Sequence, residues 1–327
     1  MADSQPTLSV EDLKTYFFTK GGVARAVDGV SFSISRGEVM GLVGESGSGK
    51  SVTGFSIMGL VDPPGEVVSG RILFQGENLV GADDERMREL RGSRVAMIFQ
   101  DPMMTLNPVL RIDTQMIEAV QAHEKVDRRT AFERSRDALG QVGIPSPEER
   151  LSAYPHQFSG GMRQRVAIAI ALLHQPELII ADEPTTALDV TIQGQILFEV
   201  QKLCRERGMS LIWITHDLAV VAGLADKICV MYSGRIVETG AIDDVLDGPL
   251  HPYTKGLIGS VPSHNKRGEV LAQIPGMAPS LLDVPSGCAF HPRCPRADEA
   301  CRRQPELYAP VQPGHQVRCI HPHLEPA

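Results

Sequence analysis

The chain has 327 residues, with 32 Lys and Arg against 40 Asp and Glu and a formal net charge of −8. That length suits one large domain or two smaller ones with a sizeable core, and 42% apolar with 5% aromatic residues is neither a disordered nor a fibrous composition. The acidic balance argues against sequence-independent nucleic-acid binding, which needs clustered Lys and Arg, and no apolar stretch approaches the ~20 residues that span a bilayer.

The start, MADSQPTLSVEDL, lacks the basic-then-apolar layout of a secretory leader, so a cytosolic chain is expected. Val39–Val43 (VMGLV) is a short apolar run that reads as a buried strand, and helical character follows over Ser51–Leu60. Val95–Phe99, Leu178–Ala181 and Leu211–Thr215 are further runs of buried-strand length. Met162, Val166, Ala169, Ile170 and Leu173 recur at helical spacing, with Arg163 and Arg165 among them. Strands alternating with helices point to a mainly parallel sheet covered on its faces, and the charge patterns of about 101–165 suggest a helical lobe. Residues 241–327 then hold 13 of the 23 prolines, 6 of the 10 histidines and 4 of the 6 cysteines, so a boundary is expected near Gly240.

Two stretches carry chemistry. GESGSGKS at 44–51 fits G-x-x-x-x-G-K-[ST], follows an apolar run and opens a helix. Glycines let backbone N–H groups of Gly44, Glu45, Ser46, Gly47, Ser48 and Gly49 face one concavity; the helix start and Lys50 add positive charge, and Ser51 offers a hydroxyl to Mg2+. LIIADEP places Asp182 and Glu183 at the end of an apolar strand, where α/β sheets bind ligands. Asp182 suits Mg2+, and Glu183 suits a base that activates a water against a terminal phosphate. Between them, FSGGMRQR opens the striped helix with Ser159, Gly160 and Gly161, a second place for a phosphate at a bare helix start. A second anion site is surplus for one chain and makes sense if two chains enclose two nucleotides.

With FQDP at Gln100, ALD at Asp189 and THD at His216, the set resembles an ABC-transporter ATPase over nearly all of residues 10–240. The resemblance implies an α/β, ABC-type P-loop fold: a RecA-like, mainly parallel core sheet, an antiparallel β subdomain and a helical signature subdomain at about 101–165. It implies an ATPase domain over 1–240 and a Pro/Cys-rich extension over 241–327. It also implies that Gln100 senses Mg2+ and the membrane partner, that His216 contacts the terminal phosphate, and that Asp189 communicates across the pair. Phe17 matches the aromatic that stacks on adenine, with Tyr16 as the fallback. The signature departs from the commonest LSGGQ at Phe158 and Met162, and Met there is usual in the peptide-transport branch.

The extension narrows the branch. HPYT at His251–Thr254 and cysteines at 288, 294, 301 and 319 are similar to the tail of D-type ATPase subunits of dipeptide and oligopeptide permeases. A cytosolic chain disfavours disulfides, and four thiolates in about thirty residues suit a tetrahedral metal or an iron–sulfur cluster. The resemblance implies that Cys288, Cys294, Cys301 and Cys319 hold a 4Fe-4S cluster; zinc with His291 is the alternative. Cys204 and Cys229 sit in helix-like and strand-like patterns and read as core thiols.

The expectation is therefore an ATP- and Mg2+-dependent subunit of a bacterial peptide importer, peripheral on the cytoplasmic face of the inner membrane. The family pattern adds two membrane-spanning permease subunits, a second homologous ATPase forming a heterodimer, an extracytoplasmic solute-binding protein, and no nucleic acid. Nickel, opine or haem import, a soluble ABC ATPase acting on nucleic acid or ribosomes, and a cluster that gates transport as a redox sensor remain the competing readings.

Overall fold

The computed structural model describes residues 5–185, 190–261, 273–303, 305 and 314–323. The chain forms two compact units, one from Met1–Ile34, Glu38–Gly81 and Trp213–Ala327, the other from Ser35–Gly37 and Ala82–Ile212. The compositional change near Gly240 thus falls inside the first unit.

The first unit opens with β1 (Leu8–Thr19), β2 (Gly22–Ile34), β3 (Val39–Val43), α1 (Lys50–Met58), β4 (Gly65–Phe74) and β5 (Glu77–Asn78). The second contains α2 (Asp84–Leu90), β6 (Val95–Ile98), α3 (Ile112–His123), α4 (Arg128–Gln141), α5 (Pro147–Leu151), α6 (Gly160–Leu172), β7 (Leu178–Asp182) and α7 (Val190–Arg207). β8 (Ser210–Thr215) carries the chain back into the first unit, which ends with α8 (Leu218–Leu224), β9 (Lys227–Tyr232), β10 (Arg235–Ala241), α9 (Ile242–Asp247), α10 (Pro252–Gly259) and β11 (Gln316–Val317).

In the first unit β1, β2, β4 and β5 form an antiparallel sheet in the order β2-β1-β4-β5. The sequence of β1 explains its shape. Leu8 and Val10 are buried, then Leu13 and Thr15, so the inward parity flips. Strand pairing shifts register between Val10 and Leu13, and Asp12 there has φ 44°, so the flip is absorbed by a bulge. The unit's other sheet runs β11-β10-β9-β3. β3 and β9 are parallel, and both are almost wholly buried, as parallel strands covered on both faces should be. β9 and β10 form a hairpin around Ser233 and Gly234, at φ 46° and 80°, the pair of positive values that a tight hairpin turn needs.

In the second unit β7 and β6 are neighbours and parallel. The expected helical lobe is α3 to α6. α6 is buried on nearly all sides rather than along one stripe: Gln164 and Arg165 are inside with Val166–Ala169. Arg165 is tolerated there because it donates to the carbonyls of Val142 (3.3 Å) and Gly143 (3.0 Å) and to Gln195 Oε1 (2.6 Å).

A buried carboxylate anchors the extension to β10 of its own unit, beside the pairing of β10 with β11. Glu238 is 0% exposed and accepts from the N–H groups of Leu250 (2.7 Å) and His251 (2.8 Å) and from His315 Nε2 (2.8 Å). His251 in turn caps α10, its Nδ1 accepting from the Tyr253 N–H at 3.0 Å. Among the described residues, no helix is long and apolar enough to cross a membrane.

Candidate functional site

The expected phosphate loop connects β3 to α1 in the first unit. Gly49 caps α1 at φ 101°, and a Cβ there would lie 2.1 Å from the Ala26 carbonyl oxygen; at Gly44, φ 155°, it would lie 2.2 Å from that of Met231. Neither place admits a side chain, which is why the motif needs glycine at both ends. Ser46 and Gly47 are exposed, and Gly47 has open space where a Cβ would be. Lys50 is buried, its Nζ donating to the carbonyls of Gly44 (2.9 Å) and Glu45 (3.0 Å). Ser48 Oγ is buried without a hydrogen-bond partner. Open space at the tip, an orphaned hydroxyl and an inward ammonium together fit a phosphate chain. Ser51 follows, half-buried, in the first turn of α1.

Phe17, on β1, is half-buried and leans on Gly65, where a Cβ would meet its ring at 2.6 Å. Tyr16 is committed elsewhere: its hydroxyl donates to Asp28 Oδ1 at 2.7 Å, and Asp28 also accepts from Arg235 Nη2 at 2.6 Å. Burial first, then that hydrogen bond, pushes the Tyr16 phenol up to about 12. His216 is exposed after β8; Asp217 beside it caps α8, accepting from the Ala219 N–H at 2.9 Å.

In the second unit Asp182, 4% exposed, ends β7, and Glu183 follows at φ 43°. A left-handed backbone costs a residue with a side chain about 1 kcal/mol, a strain that clusters at functional positions. Gln100, exposed after β6, donates from Nε2 to Glu183 Oε2 at 3.4 Å, so the structure brings these two expected residues together. Ser159 caps the thirteen-residue α6, its Oγ accepting from the Met162 N–H at 3.3 Å. Ser159 and Gly160 are exposed, Gly161 is half-buried, and nothing lies within 4 Å of a Cβ at Gly160. Asp189 lies outside the described residues.

All six cysteines are described, and no disulfide joins them. Cys204 and Cys229 are fully buried, as their patterns suggest. The other four lie within electrostatic reach of one another. The Cys288 N–H donates to the Cys301 carbonyl at 2.9 Å, and Cys319, pushed up to about 12 chiefly by burial, also feels the charges of Cys288, Cys294 and Cys301. Burial likewise leads in raising Cys288 and Cys294. The expected zinc partner His291 is engaged with the Cys288 carbonyl at 3.0 Å through Nδ1. The histidine that faces a cysteine is His321: with Asp298 and Cys301 it offers ligand atoms within 4.8 Å of one another.

Sequence reasoning missed Asp298, His321, Glu238 and Arg293. The only signal for His321 was an excess of His in a Pro-rich tail; Asp298 had none, since the tail is not enriched in acids, and Glu238 precedes it. Arg293 was visible in HPRC between two cysteines, but its partner lies 248 positions earlier.

The comparisons agree with this geometry. A family model described as ABC transporter matches residues 27–186, and one described as oligopeptide/dipeptide transporter, C-terminal region, matches 237–301. The chain is 47% identical over 315 residues to the dipeptide transport ATP-binding protein DppD of Escherichia coli, covering 96% of each chain. It is 47% identical to the oligopeptide transport ATP-binding protein OppD of the same organism, over 96% of this chain and 93% of that one. A solved dimeric structure of MJ0796, a bacterial ABC transporter cassette, superposes with a TM-score of 0.66 at 25% identity, covering 72% of this chain and 98% of that one.

Proposed function

Because this chain belongs to the ABC transporter family, in its oligopeptide/dipeptide branch, we propose that it binds and hydrolyses ATP to power import of dipeptides or short oligopeptides. The observation that carries the reading is the pairing, in one chain, of a Lys50-bearing phosphate loop with an extension that matches oligopeptide/dipeptide transporters.

Lys50 and the 44–49 loop hold the β- and γ-phosphates, and Phe17 stacks on the adenine. Ser51, Asp182 and Gln100 would hold Mg2+, which would supply positive charge to the transferring phosphoryl. Glu183 orients the attacking water and accepts its proton, and His216 donates to the terminal phosphate. The solvent-open start of α6 at Ser159–Gly161 serves the nucleotide of a second ATPase, and Asp189 signals between the two. Closing on ATP and reopening after hydrolysis would switch two permease subunits between outward- and inward-facing states. Met104 and Val109, 63% and 74% exposed in the segment after Gln100, suit a surface that a permease covers on the cytoplasmic side of the membrane. An extracytoplasmic binding protein would deliver the peptide. The ATPase domain is residues 1–240, with the extension as 241–327.

Cys288, Cys294, Cys301 and Cys319 hold a 4Fe-4S cluster that clamps the extension. Four thiols within electrostatic reach of one another and free of disulfides support this reading, since soft thiolates suit iron–sulfur ligation. Iron and acid-labile sulfide on anaerobically purified protein test it; zinc in place of iron favours a site that recruits His321 and Asp298 beside Cys301.

Uptake of a radiolabelled dipeptide into proteoliposomes holding this chain with its operon partners tests the transport reading. ATP-dependent accumulation is expected. Hydrolysis that proceeds with no peptide uptake, but with nickel uptake, moves the chain to another substrate branch.

A further inference from the structure

The cysteine-bearing extension reaches back to the phosphate loop through two side chains, Arg293 and Tyr253. Arg293 sits in the turn that separates Cys288 from Cys294 and is 7% exposed. Its guanidinium takes Glu45 as a fork, Nη1 to Oε2 at 2.7 Å and Nη2 to Oε1 at 3.0 Å. The fork is itself fixed from behind. Nε donates to the Pro275 carbonyl at 2.8 Å, Nη2 to that of Gly276 at 3.4 Å, and Nη1 to the Tyr232 hydroxyl at 3.2 Å. The rings of Tyr232 and Phe290 lie 5.8 and 5.9 Å from the guanidinium carbon. A second extension residue holds the same point: the Tyr253 hydroxyl accepts from the Glu45 N–H at 2.8 Å. Tyr253 packs against Tyr232 and Phe290, with ring centroids 4.7 and 5.4 Å away.

Glu45 is the second residue of the phosphate loop. Its carbonyl, with that of Gly44, receives the Lys50 ammonium, and it also accepts from the Ser48 N–H at 3.2 Å. A rotation of the Gly44–Glu45–Ser46 backbone would therefore move both the loop amides and Lys50. The loop's own restraints on that rotation are the bonds from Lys50 and Ser48, beside a Gly44 that permits many conformations. A planar, doubly bonded guanidinium restricts it far better than a single ammonium could.

We propose that Arg293 is a positioning residue for ATP: by gripping Glu45 it sets the first turn of the phosphate loop, so the extension governs nucleotide affinity. The inference rests on the reading of 44–51 as the ATP phosphate loop.

The test is equilibrium binding of a ribose-labelled fluorescent ATP, with Mg2+, to the full-length chain, followed by ATPase kinetics in the assembled transporter. Wild type should bind saturably and Lys50→Ala should not; a wild-type chain that binds no Mg-ATP overturns the ATP reading and this inference with it. Arg293→Met should raise Kd at least tenfold, about 1.4 kcal/mol. Arg293→Lys, which keeps the charge and loses the fork, should recover part of that loss. Glu45→Gln should also weaken binding, and adding Arg293→Met to it should cost little more, because both act through one contact. KM should rise with kcat nearly unchanged, since the loop grips the phosphates before and during transfer; a merely destabilised protein would instead lose active fraction at unchanged KM. If Arg293→Met does not fold, Arg293→Lys and Glu45→Gln decide. Wild-type affinity in these variants, or strictly additive effects, refutes the assignment of Arg293.

Discussion

Replacing Glu238 by Ala should loosen the extension from β10 and destabilise the first unit severely. The carboxylate is fully buried and accepts three hydrogen bonds, from Leu250 N–H, His251 N–H and His315 Nε2, all at 2.7–2.8 Å. Each buried donor left without a partner costs about 1–3 kcal/mol. Water entering the vacated space recovers part of this, so a loss of about 3–5 kcal/mol is expected, the range for breaking one side of a buried polar pair. For a unit of this size that is roughly a 10 °C drop in Tm, at about 2–4 °C per kcal/mol. Glu238→Gln keeps the shape but turns an amide donor toward one of the donors, so it should fall between wild type and Ala. Thermal melting gives the size of the effect, and hydrogen exchange gives its place: the Leu250 and His251 amides should lose protection before those of β3. A Glu238→Ala chain that melts within about 2 °C of wild type, with both amides still protected, would refute the anchoring role.

Glu183→Gln should retain Mg-ATP binding and lower turnover by a factor of 100 or more, the upper range for a general base; brisk hydrolysis in that variant removes Glu183 from the role. Acid should destabilise the fold through His251, whose folded-state value burial lowers to about 3 from an ordinary 6.5. The unfolded chain then binds the extra proton, so stability is intact above about pH 6.5 and falls as the pH drops toward 3, by about 2 kcal/mol at pH 5. Urea titrations of wild type and His251→Asn at both pH values check this, and an unchanged difference between pH 7 and 5 in the variant contradicts it. Finally, Cys319→Ser should remove most of the bound iron and lower Tm, whereas full iron content in that variant excludes Cys319 as a ligand.

What was legible in the sequence was local. A glycine loop between an apolar run and a helix specifies the phosphate cradle within eight residues, and the apolar runs of β3 and β7 announce themselves as covered strands. The Ser159 cap was readable for the same reason. What was not legible were contacts between residues far apart in the chain. Arg293 and Glu45 lie 248 positions apart, and Glu238 and His315 lie 77 apart, so no periodicity relates them. Composition shows a change near Gly240 but not that β10, which ends at Ala241, pairs with β11 at 316–317, so that the tail adds a strand to a sheet begun before it. Arg165 shows the limit of residue type as a guide to exposure, because buried carbonyls can satisfy a guanidinium that polarity alone would place in solvent.

The most direct test is to measure hydrolysis and peptide accumulation together in proteoliposomes, with and without the permease subunits. Wild type should split ATP rapidly only in the assembled transporter, faster when a peptide-loaded binding protein is present, and Glu183→Gln should lose hydrolysis and uptake in parallel. Full-rate hydrolysis by the isolated chain, indifferent to permeases and peptide, would contradict it.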